Sequence, residues 1–292
     1  MAAPDKLLRA TAAEKTVRAL AAVTTAIADE ARQRHRTAPT ASAALGRTLT
    51  ASLLLSNMLK NDEKLSLQFL GNGPLRGIFA EGHAMGTVRG FVYQPRTHLP
   101  LRNGKLDVGG AVGAGTLTVI RSQAWRGEPY RSILPIVSGE IGLDIAHYLL
   151  MSEQIPSAVS LGVFVDPNET VVAAGGFILQ AMPGASPETI SQLEANVARV
   201  KPVSQLIRDG ATPAEILDHV LVGFQPTSVD TQPIHFSCPC SHERAVGALV
   251  AMGTDEVRDL VEKEGQAAIT CEFCNDQYLL NRQELEALLT AE

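Results

Sequence analysis

The chain has 292 residues, 45% of them apolar, and a formal net charge of −6, which is an ordinary composition for a globular protein. Its apolar runs are all shorter than the roughly 20 residues that a membrane-spanning helix requires. Charges are scattered through the N-terminal stretch without a compact apolar segment, so we expect no secretory signal, no membrane association and a cytoplasmic location with reduced thiols.

The first half of the chain predicts a buried helix followed by strands. Apolar residues lie around most of the helix predicted from Thr40 to Lys60, which is typical of a helix packed inside a domain. Strand-like alternation follows in five segments, Lys64–Leu70, Gly86–Tyr93, Gly115–Ile120, Ser160–Val165 and Thr170–Gln180. One helix, Gly142–Gln154, interrupts them. This order predicts an α+β fold whose N-terminal domain, residues 1–184, is a mainly antiparallel β-sheet with packed helices.

A helical linker region is predicted over residues 185–234. Its first helix has Ser186 at the N-cap and Pro187 at the first helical position. One face of this helix carries the apolar residues Ile190, Leu193, Val197 and Val200. Because a core face and a binding face look alike in one dimension, both interpretations stay open from the residues alone.

A second helix in this region begins with a capping-box pattern. Thr212, Pro213 and Glu215 have the spacing in which the threonine and glutamate side chains cap the first turn, and Gly223 closes the helix. The following segment, residues 225–235, has two prolines and few large apolar residues. We interpret that segment as an irregular linker.

Other features invite functional interpretations that their surroundings do not support. The glycine-rich stretches Gly71–Gly77 and Gly104–Gly115 lack a complete nucleotide-binding pattern, so turns and sheet corners are favoured. Asp144 and His147 lie one helical turn apart, but helix capping and packing are favoured over acid–base chemistry. Trp125, the only tryptophan, is expected to pack in or at the edge of the fold. No catalytic constellation is recognised, and an enzyme is not expected.

All four cysteines lie in two pairs near the C-terminus. They are Cys238, Cys240, Cys271 and Cys274, in the pattern Cys-x-Cys, thirty intervening residues, and Cys-x-x-Cys. In the reduced state four thiolates can close a tetrahedral zinc site, since zinc accepts four soft ligands. We therefore predict one Zn²⁺ per chain in a small C-terminal domain, residues 235–292.

The residues around the cysteines predict a knuckle and three short helices. Asn275 stands where a tight turn after Cys-x-x-Cys favours positive φ. Ser241 and Thr254 are predicted to cap two helices, and Asn281 with Glu284 a third. These helices carry little apolar surface, so metal is expected to drive folding; structural zinc contributes roughly 10 to 16 kcal/mol in zinc peptides.

Several alternatives for the cysteines remain at this point. An inert structural zinc module is one, whereas a thioredoxin-like dithiol is disfavoured because no compact βαβ pattern surrounds Cys-x-x-Cys. A Cys238–Cys240 disulfide is possible but strained, because residues two apart in an extended chain lie about 6.6 Å apart at Cα, near the upper end of the disulfide range. His235 and His242 flank the cluster as less favoured ligands.

At these residues the sequence resembles the 33 kDa heat shock protein family of redox-regulated chaperones. The resemblance rests on both cysteine pairs and on "CPCSHERA" and "ITCEFCNDQYLL". It extends to "LQFLGNGPLRG", "GKLDVGGAVGAGTLTV", "SGEIGLDIAHYLLMSEQIPSAVSLGV" and "AAGGFILQAMPGA", so that it covers nearly the whole chain.

The resemblance implies a function and a switch. In the reduced, zinc-bound form the protein would be inactive. Peroxide with mild unfolding, or hypochlorite, would release the metal and form the disulfides Cys238–Cys240 and Cys271–Cys274. The C-terminal domain and linker would then unfold, and the chain would dimerise and hold unfolding client proteins without ATP. The face of Ile190, Leu193, Val197 and Val200 is our candidate client surface.

The C-terminal region is acidic, which bears on the alternatives. From Thr227 onward there are twelve Asp and Glu residues against four Lys and Arg. A nucleic-acid module would be expected to be basic, so a tRNA- or ribosome-binding zinc ribbon is disfavoured and no nucleic-acid partner is expected. A zinc-stabilised binding protein without redox function, and an enzyme with its site in the N-terminal sheet, are the remaining alternatives.

Overall fold

A computed structural model describes residues 4–60, 63–123 and 128–290 of the chain. It divides into two compact units, Met1–Ser237 and Cys238–Glu292. Trp125 lies outside the described residues. Within the described ranges, no helix has the length and apolarity needed to cross a membrane.

Two sheets form the framework of the first unit. Its strands are β1 (Lys6–Ala12), β2 (Val17–Val23), β3 (Glu63–Gly71), β4 (Gly77–His83), β5 (Thr87–Val92), β6 (Gly115–Gln123), β7 (Tyr130–Pro135), β8 (Ser157–Val165), β9 (Val171–Ala181), β10 (Thr227–Pro233) and β11 (His235–Phe236). One sheet has the order β10-β1-β2-β9-β8 and the other β11-β5-β4-β3-β6-β7. Neighbouring strands are antiparallel except for β11, which runs parallel to β5. The predicted α+β fold with largely antiparallel sheets is confirmed.

The helices of this unit pack on the sheets. They are α1 (Thr25–His35), α2 (Pro39–Ser56), α3 (Val108–Val112), α4 (Gly142–Met151), α5 (Pro187–Arg199), α6 (Val203–Arg208) and α7 (Pro213–Val220). The predicted buried helix corresponds to α2, which contacts strands of both sheets. Two of its buried hydroxyls bond within the helix, because Thr48 and Thr50 donate to the carbonyls of Ala44 and Gly46 at 2.8 Å, and Ser52 donates to the Leu65 carbonyl of β3 at 3.1 Å. An apolar helix can therefore carry polar residues at the centre of this unit.

Helices α5 to α7 cover the five-stranded sheet. Their apolar residues join one buried cluster with β1, β2 and β9. The side chain of Ser186 caps α5, and Thr212 and Glu215 form the predicted capping box of α7. Asn196 of α5 donates to the carbonyls of Val220 and Val222 at 3.1 and 2.8 Å, which ties α5 to the end of α7. The predicted helices are confirmed, while the three-part division into 1–184, 185–234 and 235–292 stays a prediction.

The prediction of an irregular linker over residues 225–235 is wrong. Residues Thr227–Pro233 form β10, which pairs antiparallel with β1 from Lys6↔Pro233 to Thr11↔Thr227 with one irregularity. Most of its side chains are exposed. An edge strand is held by main-chain hydrogen bonds and needs few buried side chains, so its composition resembles that of a loop.

The second unit contains three helices and a hairpin. Its elements are α8 (His242–Met252), α9 (Thr254–Lys263), β12 (Gln266–Thr270), β13 (Gln277–Asn281) and α10 (Arg282–Thr290). Its buried apolar cluster consists of Leu249, Val257, Val261, Ala267, Leu280 and Leu285. Ser241 caps α8 as predicted, and Asn281 with Glu284 caps α10. Thr254 does not cap α9, because only Gly253 separates α8 from α9 and Thr254 is already the first helical residue.

The predicted capping role of Asp144 is confirmed. Asp144 is buried near the start of α4 and accepts hydrogen bonds from the N–H groups of Val137, Ser138 and Ile141 at 2.8 to 3.0 Å. It therefore caps the helix and holds the preceding loop. In the glycine-rich turn, a Cβ on Gly73 would lie 2.4 Å from the Ala111 carbonyl oxygen, so this position needs glycine for close packing.

Candidate metal centre

The second cysteine pair lies in the loop of a hairpin. Strands β12 and β13 pair from Gln266↔Asn281 to Thr270↔Gln277. The Cys271 N–H then donates to the Asp276 carbonyl at 2.9 Å, and the Asn275 N–H donates to the Cys271 carbonyl at 2.7 Å. Asn275 has φ 61°, which confirms the predicted left-handed position. The turn therefore folds back on itself and brings both sulfurs of Cys-x-x-Cys to one side.

The first pair lies directly before α8. Cys238 and Cys240 belong to a segment without regular structure, and the chain enters the helix at the Ser241 cap. The Ser241 side chain accepts the Arg244 N–H at 3.2 Å. Capping fixes the direction of the chain at this point, and it thereby positions Cys240, which directly precedes the cap.

The four sulfurs converge to a single cluster. All four Sγ atoms lie within 4.8 Å of one another, and all four cysteines are free. The shortest contacts run between the two motifs, with Cys238 Sγ 3.7 Å from Cys271 Sγ and Cys240 Sγ 3.2 Å from Cys274 Sγ. A tetrahedron with zinc–sulfur bonds of about 2.3 Å separates its sulfurs by about 3.8 Å. The donor set and its spacing fit one ion that is bound by four thiolates.

Burial and hydrogen bonding act differently on the thiols. Burial tends to raise the pKa of Cys240, but hydrogen bonds from the Tyr278 hydroxyl and the other thiols outweigh it and lower this pKa below its usual range. Burial holds the pKa of Cys274 above its usual range, and the neighbouring thiols raise it further, against the backbone hydrogen bond from Asp276. The two pKa values shift in opposite directions because Cys240 accepts the Tyr278 hydroxyl, whereas Cys274 is almost fully buried.

Two side chains complete the polar surroundings of the cluster. The Tyr278 hydroxyl donates to Cys240 Sγ at 3.1 Å, and the Cys274 thiol donates to an Asp276 carboxylate oxygen at 3.4 Å. Sequence analysis did not single out Tyr278; the signal would have been its place in β13, just after the turn. The His242 ring nitrogen lies 3.5 Å from a Glu284 carboxylate oxygen, and His235, in β11, pairs with Thr87 of β5. The cluster found in the described part of the chain contains neither histidine.

Of the candidate client residues, Ile190, Leu193 and Val197 lie on α5, whereas Val200 follows the helix in extended conformation, so its predicted place on the helical face is wrong. Leu193 is 7% exposed and belongs to the buried cluster over the five-stranded sheet, and Val197 and Val200 pack against that cluster. Ile190 and Leu193 also line a groove of about 480 Å³ beside α4. Leu143 and Leu150 of α4 line the same groove and are 60% and 52% exposed. The face is therefore partly covered and partly continuous with exposed apolar surface.

Comparison with known proteins decides the family. The family model described as "Hsp33 protein" matches residues 5–281. The chain belongs to the Hsp33 family. It is 49% identical to the 33 kDa chaperonin of Bacillus subtilis (strain 168) and 43% identical to that of Staphylococcus aureus (strain JH9), with 97% and 98% of this chain and 98% of each relative covered. The crystal structure of the 33 kDa chaperonin of Thermotoga maritima, an Hsp33 homologue, matches this chain with a TM-score of 0.91 and 35% sequence identity. The match covers 99% of this chain and 98% of the Thermotoga chain.

The Hsp33 match includes the whole cysteine cluster. It extends to residue 281, beyond Cys274 and Tyr278. The resemblance inferred from the two cysteine motifs and the glycine-rich stretches is therefore confirmed at the level of the family.

Proposed function

We propose that this protein is a redox-regulated, ATP-independent holdase chaperone that carries a four-cysteine zinc switch. The observation that carries the proposal is the convergence of four thiols from two sequence motifs, in a chain whose relatives are named chaperonins. Its location would be the cytoplasm, where thiols are kept reduced. It would act by binding unfolding client proteins and not as an enzyme, without nucleic acid or membrane as partner.

In the reduced state Cys238, Cys240, Cys271 and Cys274 would hold one Zn²⁺. The bound ion would join the segment before α8, at the start of the C-terminal unit, to the β12–β13 turn. The donor set supports zinc, because four sulfur ligands leave no open position and suit a structural role. The hydroxyl of Tyr278 would then support the sulfur of Cys240 from outside the ligand set.

Oxidation would compete for the same sulfurs. In each motif two thiols lose two protons and two electrons, and one S–S bond forms; with hydrogen peroxide as oxidant, each disulfide yields two water molecules. The products are Cys238–Cys240 and Cys271–Cys274. The short contacts of 3.7 and 3.2 Å run between motifs, so disulfides within motifs would replace these sulfur contacts between the two chain segments. Loss of the thiolates therefore removes the ligand set and its cross-link together.

Unfolding of the C-terminal unit and of α5 to α7 would then uncover the client surface. The face of Ile190, Leu193, Val197 and Val200 is partly buried against the five-stranded sheet, and its release would enlarge the exposed groove that Leu143 and Leu150 already line. Apolar surface of this kind binds apolar segments of unfolding proteins. The oxidised chain would be a homodimer.

Two readouts in one experiment test the proposal. Zinc release and loss of thiols are followed during treatment with peroxide at raised temperature, and aggregation of a heat-unfolding client is followed by light scattering. We expect about one zinc per chain to be released as four thiols disappear, and only the oxidised protein to suppress scattering. Hydrogen exchange of residues 186–223 should increase on oxidation. Equal protection before and after oxidation, or zinc release without suppression of scattering, would contradict the proposal.

A zinc-stabilised binding protein without redox function is the second candidate. The observation in its favour is the burial of Cys274, which is 1% exposed and therefore poorly accessible to an oxidant. For this candidate the thiols resist peroxide while zinc is bound, and client binding is the same in both states. Thiol titration of the zinc-loaded protein at raised temperature separates the two.

A further inference from the structure

Tyr278 links the two chain segments that carry the cysteines. It lies near the start of β13, after the turn that holds the second cysteine pair, and its hydroxyl donates to Cys240 Sγ of the first pair at 3.1 Å. The two residues are 38 positions apart in the sequence. The contact is therefore a tertiary hydrogen bond between the two motifs, and protein atoms alone form it.

The hairpin register determines where the Tyr278 ring lies. Tyr278 is half-buried and pairs with Ile269 of β12. Because side chains alternate across a strand, Tyr278 shares a face with Leu280, which is buried in the apolar cluster, whereas Leu279 is on the opposite face and is 67% exposed. The ring is therefore directed toward the interior of the C-terminal unit, where its hydroxyl meets the cysteine cluster.

A second contact holds the ring from the side of α8. The imidazole of His242 packs edge-on against the Tyr278 ring, with 6.5 Å between the ring centroids and an interplanar angle of 71°. His242 is the first residue of α8, and its ring nitrogen lies 3.5 Å from a Glu284 carboxylate oxygen. Edge-on contacts of this kind favour one orientation of the ring. Since the ring makes this contact, Tyr278→Phe can keep it while the hydroxyl is lost.

Two neighbouring sulfurs of the cluster are protected in different ways. Cys274 is 1% exposed, so the fold itself covers it. Cys240, whose Sγ lies 3.2 Å from that of Cys274, is only partly buried, and it accepts the Tyr278 hydroxyl. A hydroxyl that donates to a thiolate draws electron density from the sulfur, and this makes the sulfur a weaker nucleophile toward an oxidant. The hydrogen bond thus protects a sulfur that burial leaves accessible.

We propose that Tyr278 is a positioning residue that stabilises the Cys240 thiolate in the metal-bound state and slows its oxidation. It thereby sets how readily an oxidant converts the first cysteine pair. The inference rests on the proposed zinc switch and deepens it, because it identifies a residue outside the ligand set that controls the response of one motif.

Peroxide oxidises this pair in two steps. The Cys240 sulfur gives an electron pair to one peroxide oxygen, the O–O bond breaks and hydroxide leaves, so that the sulfur carries the other oxygen as a sulfenic acid. The Cys238 thiolate then displaces a second hydroxide from that sulfur, and the S–S bond forms. The hydrogen bond from Tyr278 slows the first step, because it holds the electron pair that the sulfur must give.

Tyr278→Phe tests the proposal in the full-length, reduced, zinc-loaded protein. Competition with a chromogenic chelator measures zinc affinity, and we expect zinc to bind about tenfold more weakly than in the wild type. Peroxide oxidation at raised temperature, followed by alkylation and mass spectrometry, measures each cysteine pair separately. We expect oxidation of the Cys238–Cys240 pair, relative to that of the Cys271–Cys274 pair, to be about threefold faster than in the wild type.

Cobalt(II) in place of zinc provides a readout that ring packing does not change. Charge-transfer absorption from sulfur to cobalt reports the electron density on the thiolates, so loss of the hydrogen bond in Tyr278→Phe should shift this absorption to longer wavelength. Tyr278→Leu, which removes the ring as well as the hydroxyl, tests the packing role. Tyr130→Phe, at a 55% exposed position of β7, makes the same chemical change in the N-terminal unit and should alter neither zinc affinity, oxidation nor absorption.

A purely structural role of Tyr278 would give a different pattern. The proposal is overturned if Tyr278→Phe matches the wild type in all these measurements, and a loss of zinc only in Tyr278→Leu would then assign the role to the ring. Equal acceleration of both cysteine pairs overturns it as well, because the effect would not be specific to Cys240. Loss of the hydrogen-exchange protection of α8 to α10 in Tyr278→Phe at saturating zinc also overturns it, since the hydroxyl would then be needed for folding.

These measurements use no client protein, so they separate this inference from the holdase function. Oxidised wild type that has released zinc but does not suppress client aggregation contradicts the holdase function, whereas the inference about Tyr278 is still decided by zinc affinity, relative oxidation and cobalt absorption. Wild type that binds neither zinc nor cobalt overturns both.

Discussion

The two units of the molecule are stabilised in different ways. The N-terminal unit contains α2, whose side chains are almost all buried and which contacts strands of two sheets. The C-terminal unit has one main apolar cluster of six buried residues, and it also contains the four converging thiols. Burial of apolar side chains stabilises a fold without any ligand, whereas four clustered thiolates stabilise it only with a bound metal ion and in the reduced state. If the thiols hold a metal ion as proposed, the stability of the second unit depends on that ion, whereas the stability of the core around α2 does not.

Metal removal is expected to have the largest effect, on the C-terminal unit and on α5 to α7 but not on the core of the N-terminal unit around α2. Structural zinc contributes on the order of 10 kcal/mol, more than a cluster of six buried residues can replace after the entropy of ordering is subtracted. A strong chelator under reducing conditions should remove the hydrogen-exchange protection of α8, α9 and α10 and leave that of α2 unchanged.

The variant Cys274→Ser tests the same point without chelator. It should bind zinc poorly and show the exchange pattern of the chelated protein, whereas His242→Ala, which alters a side chain outside the thiol cluster, should retain both zinc and protection. Full hydrogen-exchange protection of α8 to α10 with no zinc bound would show that the six-residue apolar cluster is sufficient to fold the C-terminal unit. The two units would then not differ in their dependence on metal.

Truncation of a core side chain in the N-terminal unit should lower the stability of that unit to the same extent with and without bound metal. Leu54 of α2 is fully buried, so Leu54→Ala should lower the free energy of unfolding of the N-terminal unit by about 2 to 5 kcal/mol. Chemical denaturation measures this free energy, and Leu54→Ala should lower it by the same amount in the presence and in the absence of chelator. Leu279→Ala, at an exposed position of β13, should change stability by less than about 0.5 kcal/mol. A loss at Leu54 that depends on zinc would show that the two stabilities are coupled.

The same physical difference explains what could be predicted from sequence. The four cysteines define the candidate site because a metal cluster requires fixed residue types at short spacings, and these are visible in one dimension. Tyr278 was missed, since its contact with Cys240 depends on the hairpin register. Strands β1 and β2 were not predicted, because alanine-rich sequences such as KLLRATA and VRALAAV have no clear alternation; the two strands pair with each other, but their other partners, β10 and β9, are distant in the chain.

Protonation of a buried carboxylate is expected to have a smaller effect, on the stability of the N-terminal unit. The buried carboxylate of Asp5 accepts the N–H groups of Ala26 and Ile27 at 3.2 and 2.8 Å, and burial nevertheless raises its pKa to about 6. The folded protein therefore binds a proton more tightly than the unfolded chain. This contribution to stability is fully present below about pH 3.8 and is lost as the pH rises through about 6.

The variant Asp5→Asn isolates this group. Between pH 7.5 and 4.5 the wild type should gain about 2 kcal/mol of unfolding free energy relative to the variant, measured by denaturation of the N-terminal unit at both pH values. A constant difference between the two proteins would show that Asp5 titrates normally. A gain that disappears on chelation would contradict the independence of the two units.

The smallest predicted effect concerns α7, which packs with the N-terminal unit but is proposed to unfold when the C-terminal unit loses its metal. Thr212→Ala removes a hydroxyl that accepts the Glu215 N–H at 3.3 Å, and it should destabilise α7 by about 1 kcal/mol. Thr254→Ala is the matched control, since Thr254 begins α9 and α9 has no side-chain cap.

If the release of α5 to α7 uncovers the client surface, Thr212→Ala should lower the temperature at which peroxide activates the protein by a few degrees, measured as the onset of client protection in light scattering. The control variant should not. Equal onset in all three proteins would mean that α7 remains folded in the active form, and the client surface would then have to lie in the part of the N-terminal unit that is already exposed.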